Sequence, residues 1–377
     1  MNYPLKIGIV GGGQLGRMLT QSAKKLGFTV TVIDPTPSSP AGQVADKQII
    51  ADYKDEKAIR KLAELSDIIT FEIELANDKI LFELMKKGKI IHPSPETLGI
   101  IRDKLRQKQF LKSHGIPSAS FKEVKTKNDI LSLAKEFGYP LVLKARTDAY
   151  DGRGNALIKN EKEIDSSLLK LKEKPIYVEK FVQFIKELAV MVGRSSSGEI
   201  VSYPVVETIH INNICDTVIV PATVSREVYN KAQHIAKETM KYLKGAGVFG
   251  IEMFLTKNNE VLINEIAPRV HNSGHFSIEA SKTSQFEQHI RAITGLPLGK
   301  TDLIVKAAVM KNILGTKDGP GIPTGIAKAL KISGVSLHIY GKKESRSQRK
   351  MGHITVIGES VKDCLKKANQ AREMINI

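Results

Sequence analysis

The chain has few cysteines and no long apolar run, and each absence excludes a class of protein. Cys215 and Cys364 are far apart in the 377 residues. They exclude a disulfide framework or a cysteine-rich zinc site and fit a reducing cytosol. No segment approaches the ~18 apolar residues of a membrane span, so we expect no membrane partner. A strand is expected at residues 5–10, which leaves no room for a signal peptide.

The positive charge of the chain lacks the pattern of a nucleic-acid-binding protein. The formal net charge is +17, but the lysines are spread along the whole sequence, often beside glutamates such as Glu136 and Glu238. No basic block is interleaved with aromatic residues. We therefore expect no nucleic-acid partner. The charge indicates a solvated surface that would also attract a small anionic substrate.

The pattern of elements changes along the chain, and the length predicts two or three domains. The first hundred residues alternate strand and helix, which predicts a parallel sheet of the α/β class. From Pro117 the pattern is α+β with antiparallel strands. Residues 315–325 are a Gly/Pro-rich connector, and residues 326–377 are predicted to form a small strand-rich cap with a final helix.

Two glutamates are predicted to face each other across a β-hairpin. Residues 248–255 and 261–266 have the pattern of strands, and Asn258-Asn259 suits a two-residue type I′ turn. That register places Glu252 opposite Glu265 on one face, with their Cβ atoms ~5 Å apart. Like charges so placed are destabilising without a cation between them, and two carboxylates suit Mg²⁺. The alternative is a solvated strand pair, but apolar residues on both faces argue against it.

A glycine turn follows the first predicted strand. Gly11-x-Gly13-x-x-Gly16, with Asp34 ending the next strand, matches the dinucleotide fingerprint. A glycine turn at a helix N-terminus exposes N–H groups to an anion. A pyrophosphate, a substrate monophosphate and an empty tight turn all remain open. The absence of a nicotinamide-side catalytic pair favours the monophosphate.

A second glycine-containing loop, residues 147–155, lies between two predicted strands. Gly152 and Gly154 permit close backbone approach, and Asp151 and Arg153 add a proton acceptor and a cation. Lys144, on the strand before the loop, would act as a point charge on ATP phosphates. The alternative is an exposed hairpin whose lysine extends into solvent.

Four motifs occur in one order and together carry a family resemblance. They are Gly11-Gly12-Gly13-Gln14-Leu15-Gly16-Arg17-Met18, Tyr150-Asp151-Gly152-Arg153-Gly154, Asn264-Glu265-Ile266-Ala267-Pro268-Arg269 continuing into His271-Asn272-Ser273-Gly274-His275, and Arg349-Lys350-Met351-Gly352-His353. From residue 6 to about residue 358 the chain resembles the 5-(carboxyamino)imidazole ribonucleotide synthases, ATP-grasp ligases of purine biosynthesis.

The resemblance implies an architecture and a reaction. An N-terminal Rossmann-like domain (residues 1–100) would precede a two-lobed ATP-grasp domain (101–300, mobile lobe about 115–184) and a small C-terminal β-rich domain (301–377). The enzyme would carboxylate 5-aminoimidazole ribonucleotide with bicarbonate and ATP through carboxyphosphate, using Mg²⁺. It would be a stand-alone cytoplasmic homodimer.

The resemblance also assigns residues. The metal ligands would be Glu252 and Glu265, and the catalytic residues Asp151, Arg153, Arg269 and Lys342, with Asp151 as base. The ATP site would comprise Lys104, Lys144, Ala149, Tyr150, Asp151, Gly152, Arg153, Gly154, Asn155, Glu179, Lys180, Phe181, Val182, Glu187, His210, Asn264 and Glu265. The substrate site would comprise Gln14, Leu15, Glu72, Glu74, Asn272, Ser273, Lys342, Arg349 and Lys350.

The sequence also allows other interpretations. Ser273-Gly274 makes a helical zinc pair of His271 and His275 improbable. Ser273 is a poor candidate nucleophile because the sequence indicates no base with an orienting group. His353 is equally compatible with packing and with ligand contact. At the level of the whole chain, the alternatives are a formate-using glycinamide ribonucleotide transformylase and an NAD-binding or nucleotide-sensing module without turnover.

Overall fold

The computed structural model describes residues 3–147, 154–171 and 174–377. Within these residues the helices are α1 (Gln14–Lys25), α2 (Glu56–Leu65), α3 (Asp78–Lys86), α4 (Pro95–Arg102), α5 (Lys104–Ser113), α6 (Lys127–Phe137), α7 (Ile164–Lys170), α8 (Arg226–Leu243), α9 (Ser277–Ala280), α10 (Gln285–Thr294), α11 (Ile326–Ala329) and α12 (Val361–Met374). Short 3₁₀ helices lie at Glu161–Glu163 and Asn272–Gly274.

The same residues form the strands of four sheets. They are β1 (Lys6–Val10), β2 (Thr29–Ile33), β3 (Lys47–Ile49), β4 (Ile68–Phe71), β5 (Ile90–Ile91), β6 (Phe121–Glu123), β7 (Leu141–Ala145), β8 (Asn155–Ile158), β9 (Ile176–Lys180), β10 (Phe184–Arg194), β11 (Ile200–Ser202), β12 (Val206–Ile211), β13 (Ile214–Val220), β14 (Gly247–Thr256), β15 (Val261–Ala267), β16 (Ala307–Leu314), β17 (Gly319–Pro320), β18 (Val335–Ile339), β19 (Glu344–Ser345) and β20 (Lys350–Gly358).

The first sheet is parallel, as the sequence predicts. Its strand order is β3-β2-β1-β4-β5, and every neighbouring pair is parallel. The last four residues of β1 and of β2 are all buried, because helices cover both faces. Helix α3 was not predicted, although the Asn77 side chain caps it by accepting from the Ile80 N–H group.

A small antiparallel sheet follows, with strand order β6-β9-β7-β8. Helices α6 and α7 pack on it through a core that includes Ile130, Leu141, Ile164 and Val178. The alternation of buried and half-buried residues in β7 leaves Lys144 on the face opposite this core. The sheet therefore presents Lys144 away from its own helices.

The largest sheet has nine strands, in the order β15-β14-β10-β12-β13-β16-β20-β18 with β11 on β10. Helix α8 covers one face, where Ala236 and Met240 join a core with Phe249 and Ile251. The C-terminal strands β16 and β20 continue this sheet beyond β13. The predicted division at residue 301 falls just before β16 and stays a prediction.

Helix α5 connects the small sheet to the large one. Arg146, which follows β7, makes a salt bridge of 2.5 Å with Asp103 at the N-terminus of α5. The Lys104 N–H group donates to the Arg146 carbonyl at 2.8 Å. After α5, the Pro117 carbonyl accepts from the Ile263 N–H group of β15 at 2.8 Å. Both ends of α5 are therefore fixed between the two sheets.

A buried histidine joins the N-terminal sheet to the large sheet. His289 of α10 accepts from the Val248 N–H group through Nδ1 at 3.0 Å, and its Nε2 lies 2.8 Å from Thr70 Oγ1 of β4. Because Nδ1 accepts, the proton is on Nε2 and is donated to Thr70. Burial lowers the pKa of His289 to about 3. Among the described residues, no helix is both long and apolar enough to cross a membrane.

The low pKa of His289 predicts an acid-dependent loss of stability. The folded state holds His289 neutral while the unfolded state protonates it near pH 6.5, so acid favours unfolding between pH 6.5 and 3. His289→Asn should lower stability at pH 7. As the pH falls from 6.5 to 5, the difference in the free energy of unfolding between the variant and the wild type should narrow by about 2 kcal/mol. Urea unfolding at several pH values measures this. A constant difference would contradict the prediction, and His234→Asn, on the exposed face of α8, is the control.

Candidate active site

Glu252 and Glu265 lie side by side on adjacent antiparallel strands. They are direct partners in the pairing of β14 with β15, so the predicted juxtaposition is confirmed. The predicted two-residue turn is wrong. Thr256 donates its N–H group to the Glu260 carbonyl at 3.0 Å, which leaves a three-residue loop. In that loop Asn259 has a φ of 59°, and its N–H group donates to the Thr256 carbonyl at 3.1 Å.

A β-bulge restores the register that the longer loop shifts. Met253 pairs with Ile263 and Glu252 pairs with Glu265, so Asn264 is an extra residue in β15. Bulges bend a strand and redirect its side chains, and they are frequent beside functional sites. The longer loop and the bulge displace the register by one residue in opposite directions. Their effects cancel at Glu252, which is why the pairing predicted from a regular hairpin holds.

The two carboxylates have different electrostatic environments. Burial and the neighbouring charge of Glu265 raise the pKa of Glu252 to about 7. Burial alone would also raise the pKa of Glu265, but the Nζ of Lys104, 2.8 Å from its Oε2, lowers it. A proton therefore competes for Glu252 wherever no cation neutralises the pair.

The pair provides part of a ligand set for a hard divalent cation. Carboxylate oxygens are preferred ligands of Mg²⁺, and burial together with the charge of Glu265 disfavours the ionised form of Glu252 when no cation is bound. Across residues 3–147, 154–171 and 174–377, no three His, Cys, Asp or Glu side chains form a cluster that could hold a metal. A cation bound here would take its other ligands from water and from an anionic ligand such as a phosphate.

Three side chains surround the carboxylate of Glu179 on β9. Lys144 Nζ lies 3.0 Å from Oε2, while Lys108 Nζ and the Tyr177 hydroxyl lie 3.3 and 2.8 Å from Oε1. Burial would raise the pKa of Glu179, but the two lysines lower it to about 2. The sequence predicts Lys144 and Glu179 as site residues but not Lys108. The sequence could have indicated Lys108, because it lies four residues after Lys104 and therefore on the same face of a helix.

The predicted adenine and ribose contacts lie where β9 leads into β10. Lys180 ends β9, and Phe181 and Val182 form the connection. Glu187 of β10 bonds to His210 of β12, with 2.6 Å between Oε2 and Nδ1. Burial would lower the pKa of His210, but this bond raises it. The pair joins a carboxylate on β10 to an imidazole on the neighbouring strand β12.

Most of the predicted loop between β7 and β8 lies outside the described residues. Ala149, Tyr150, Asp151, Gly152 and Arg153 lie outside the described residues. Gly154 has a φ of 104°, a conformation that favours glycine. Asn155 begins β8 and pairs with Lys144.

Carboxylates occupy much of the N-terminal glycine turn. The Gly13 N–H group donates to Glu72 Oε1 at 2.6 Å, the Gly16 N–H group donates to Glu72 Oε2, and the Gly12 N–H group donates to Asp34 at 2.9 Å. A Cβ at Gly13 would collide with the Glu72 carboxylate. The glycines thus allow an internal carboxylate to approach, and the N–H groups that a pyrophosphate needs are already used. This arrangement does not favour a dinucleotide.

The other predicted substrate residues of this region lie nearby. Gln14 and Leu15 occupy the first positions of α1, where N–H groups have no acceptor within the helix. Glu74 Oε1 lies 2.9 Å from Nε of Arg269, the predicted catalytic cation that follows β15. The structure therefore brings the N-terminal region against the strand that carries Glu265.

The C-terminal cations approach the same region. Lys342 Nζ donates to the Lys350 carbonyl at 2.6 Å and lies 5.7 Å from the centre of the Tyr340 ring. Arg349 donates to the Glu344 carbonyl at 2.7 Å. Gln43, which the sequence did not predict, donates to the Gly341 carbonyl at 2.7 Å. This bond fixes the turn before Lys342 against the N-terminal domain.

The segment after β15 contains two predicted substrate residues, Asn272 and Ser273. His271 Nδ1 lies 2.7 Å from Ser273 Oγ, and its Nε2 lies 3.6 Å from Glu252 Oε1. The contact with Ser273 is a hydrogen bond, whereas 3.6 Å is too long for a hydrogen bond between His271 and Glu252, so the described residues give Ser273 no base held by an orienting carboxylate. Ser273 is 1% exposed, and its contact with the substrate stays a prediction. Asn272 is also buried and exchanges amide hydrogen bonds of 2.9 and 2.6 Å with Asn312.

His275 and His353 pack against each other in the core. Both are fully buried, and their ring centres are 4.8 Å apart. His353 Nδ1 bonds to the Tyr340 hydroxyl at 2.9 Å, and His275 Nδ1 lies 3.1 Å from the Gln285 amide nitrogen. These contacts favour the packing interpretation of His353. They also agree with the rejection of a zinc pair.

Models of three protein families match consecutive parts of the chain. The Ribonucleotide synthetase preATP-grasp domain matches residues 5–102, the ATP-grasp domain matches residues 109–286, and the Phosphoribosylaminoimidazole carboxylase C-terminal domain matches residues 308–367. The predicted ATP-grasp architecture is confirmed. The predicted domain limits themselves stay predictions.

Similar proteins carry two related names. The N5-carboxyaminoimidazole ribonucleotide synthase of Bacillus subtilis is 45% identical over 349 residues, which cover 93% of this chain and 90% of that protein. Several fungal relatives are named phosphoribosylaminoimidazole carboxylase, and this chain spans only 64% to 67% of their length.

Solved structures of similar proteins share the whole fold. The crystal structure of N5-carboxyaminoimidazole ribonucleotide synthetase from Thermotoga maritima is 50% identical, with a TM-score of 0.90 and 99% coverage of both chains. That of N5-carboxyaminoimidazole synthase from Aspergillus clavatus, in complex with ADP and 5-aminoimidazole ribonucleotide, is 37% identical, with a TM-score of 0.90 and 98% coverage of both chains.

The raised pKa of Glu252 predicts a stability gain from removing its charge. The folded state holds the Glu252 proton up to about pH 7, whereas the unfolded state releases it near pH 4.3. Without metal, the free energy of unfolding of the wild type should therefore fall by about 3 kcal/mol, through the ionisation of Glu252, as the pH rises from about 4.3 to about 7. Glu252→Gln does not ionise, so without metal it should be more stable than the wild type at pH 8. Its advantage should be smaller at pH 5.

Chemical unfolding in the presence of a chelator measures this difference. Glu64→Gln, at an exposed position of α2, is the matched control and should change nothing. If Glu252→Gln proves no more stable than the wild type at pH 8, the two carboxylates do not repel each other as described.

Proposed function

The chain belongs to the family of N5-carboxyaminoimidazole ribonucleotide synthases, and from this premise we propose that it carboxylates 5-aminoimidazole ribonucleotide with bicarbonate and ATP. One observation carries the proposal: Glu252 and Glu265 stand side by side next to Lys104, on the sheet that α5 joins to the sheet bearing Lys144. Paired carboxylates next to lysines suit a nucleotide triphosphate bound with Mg²⁺.

The first step would activate bicarbonate. A bicarbonate oxygen attacks the γ-phosphorus of ATP, the bond to the β-phosphate oxygen breaks, and carboxyphosphate and ADP form. Bound at Glu252 and Glu265, Mg²⁺ would neutralise charge on the phosphates. Lys144 and Arg269 would neutralise charge on the transferring phosphoryl group. Arg269 forms an ion pair with Glu74, with 2.9 Å between Nε and Oε1, which supports a position beside the N-terminal domain.

The second step would transfer the carboxyl group. The exocyclic amine of the imidazole attacks the carboxyl carbon of carboxyphosphate, phosphate leaves, and the amine gives up a proton. We assign Asp151 as the acceptor of that proton, with Arg153 and Lys342 as neighbouring cations. The polar contacts of Lys342 with Lys350 and Tyr340 support a fixed position for its ammonium group.

The substrate phosphate would bind between the start of α1 and the C-terminal segment that carries Lys342, Arg349 and Lys350. The N–H groups of Gln14 and Leu15 offer the N-terminus of α1 to an anion. Lys342, Arg349 and Lys350 would approach from the opposite side. The bond between Gln43 and the Gly341 carbonyl supports this arrangement because it joins the two regions directly.

We extend the proposal to a cytosolic homodimer. Cys215 and Cys364 are both free and buried, which suits a reducing compartment. Sedimentation of the purified protein tests the dimer.

The reaction predicts a dependence on all three substrates. ADP should form at a substantial rate only when ATP, bicarbonate and 5-aminoimidazole ribonucleotide are all present, and phosphate should appear with it. Coupled measurement of ADP in bicarbonate-depleted buffer tests this. Formate with glycinamide ribonucleotide should give no turnover. Turnover with that pair would favour the transformylase, and no turnover with any combination would contradict the proposal.

The metal assignment predicts the effect of one substitution. Glu265→Gln removes one of the two anionic ligands and leaves Lys104 without its partner, so turnover should fall about a hundredfold or more. Glu260→Gln, exposed at the turn of the same hairpin, is the control and should retain full activity. Normal turnover of the Glu265→Gln variant at limiting Mg²⁺ would disprove the metal assignment.

A further inference from the structure

Lys108 is a buried lysine that the proposed reaction does not use. Its side chain is 2% exposed. Lys108 lies on α5, one helical turn after Lys104. Burying an ammonium group is costly unless charged or polar partners surround it. The partners of Lys108 therefore indicate why the fold keeps it.

Those partners belong to both sheets. Lys108 Nζ lies 3.3 Å from Glu179 Oε1 on β9 of the small sheet, and it donates to the Ile263 carbonyl on β15 at 3.2 Å. Glu179 Oε2 lies 3.0 Å from Lys144 Nζ. One carboxylate thus lies between two lysines, one at each oxygen. The lysine from α5 also reaches the strand that carries Glu265.

The charge balance of this group gives Lys108 a role. Without it, the single charge of Glu179 would be balanced by Lys144 alone, and that ion pair would have little attraction for another anion. Burial lowers the pKa of Lys108, although the charge of Glu179 opposes this shift. With Lys108 protonated, the three groups carry a net positive charge, and Lys108 and Glu179 are both enclosed by protein. Charge interactions in such a buried setting are several-fold stronger than in water, so this difference matters for a phosphate near Lys144.

We propose that Lys108 is a positioning residue for the nucleotide: it neutralises Glu179, so that the charge of Lys144 remains available to the phosphates of ATP. The inference rests on the proposed function, because it takes ATP as the ligand of Lys144. The hydrogen bond to Ile263 fixes the ammonium group of Lys108 relative to the strand of Glu265.

The decisive experiment compares binding of two ligands that differ in their phosphates. Calorimetry with a non-hydrolysable ATP analogue and Mg²⁺, and separately with adenosine, is applied to the full-length wild type and to Lys108→Met. The substitution should weaken binding of the ATP analogue by about tenfold or more. Binding of adenosine should be unchanged, because adenosine carries no phosphate. Lys112→Met, exposed one turn further along α5, is the control and should bind both ligands normally.

A double variant separates charge balance from simple damage to the fold. Lys108→Met combined with Glu179→Gln removes both buried charges and leaves Lys144 unneutralised, so binding of the ATP analogue should recover at least partly. Equal weakening of both ligands by Lys108→Met, or no recovery in the double variant, would overturn the inference. If the wild type binds no ATP analogue, the proposed function itself fails. That outcome is distinct from the two that would overturn the role of Lys108.

Discussion

The repulsion between the carboxylates of Glu252 and Glu265 is the constraint on which the site depends. Their strands place them as direct partners, and the apolar core behind β14 and β15 prevents the strands from separating. Lys104 forms its ion pair with Glu265, while burial and the charge of Glu265 raise the pKa of Glu252 to about 7. The fold thus holds a local excess of negative charge that a divalent cation can relieve.

Helix α5 distributes the compensating charge. Lys104 and Lys108 lie one turn apart and contact acids on different sheets, Glu265 on β15 and Glu179 on β9. The same helix is fixed by Asp103 to Arg146 at its N-terminus. A change in the position of either sheet would therefore alter the electrostatic environment of Glu265 and of Glu179. This arrangement couples the geometry of the two sheets to the charge of the site.

The sequence predicted the family, the architecture and the paired glutamates, and these are confirmed. The parallel sheet was predictable because its strands are continuous apolar runs between amphipathic helices. The turn at Asn259 was not, because a loop one residue longer and a bulge at Asn264 leave the same partners at Glu252. No element was assigned to residues 200–243, although the periodicity of α8 was available in the sequence.

The side-chain partners were beyond prediction for a different reason. The contacts of Lys108 with Glu179, of His289 with Thr70 and of His271 with Glu252 join segments that only the tertiary fold brings together. Sequence spacing predicts neighbours on one helix or hairpin, but it gives no distance between separate elements. Of these contacts, the sequence could predict only that Lys108 lies on the same helical face as Lys104.

The glycine turn after β1 shows why a motif predicts backbone geometry more reliably than it predicts a ligand. Glycines at 11, 13 and 16 expose N–H groups whatever anion they meet. In a dinucleotide-binding protein that anion is a pyrophosphate, whereas here Glu72 accepts from Gly13 and Gly16. The carboxylate comes from the residue directly after β4, the strand beside β1 in the sheet. A fingerprint should therefore be tested against any acidic residue at the end of the neighbouring strand, since such a residue can occupy the site without a cofactor.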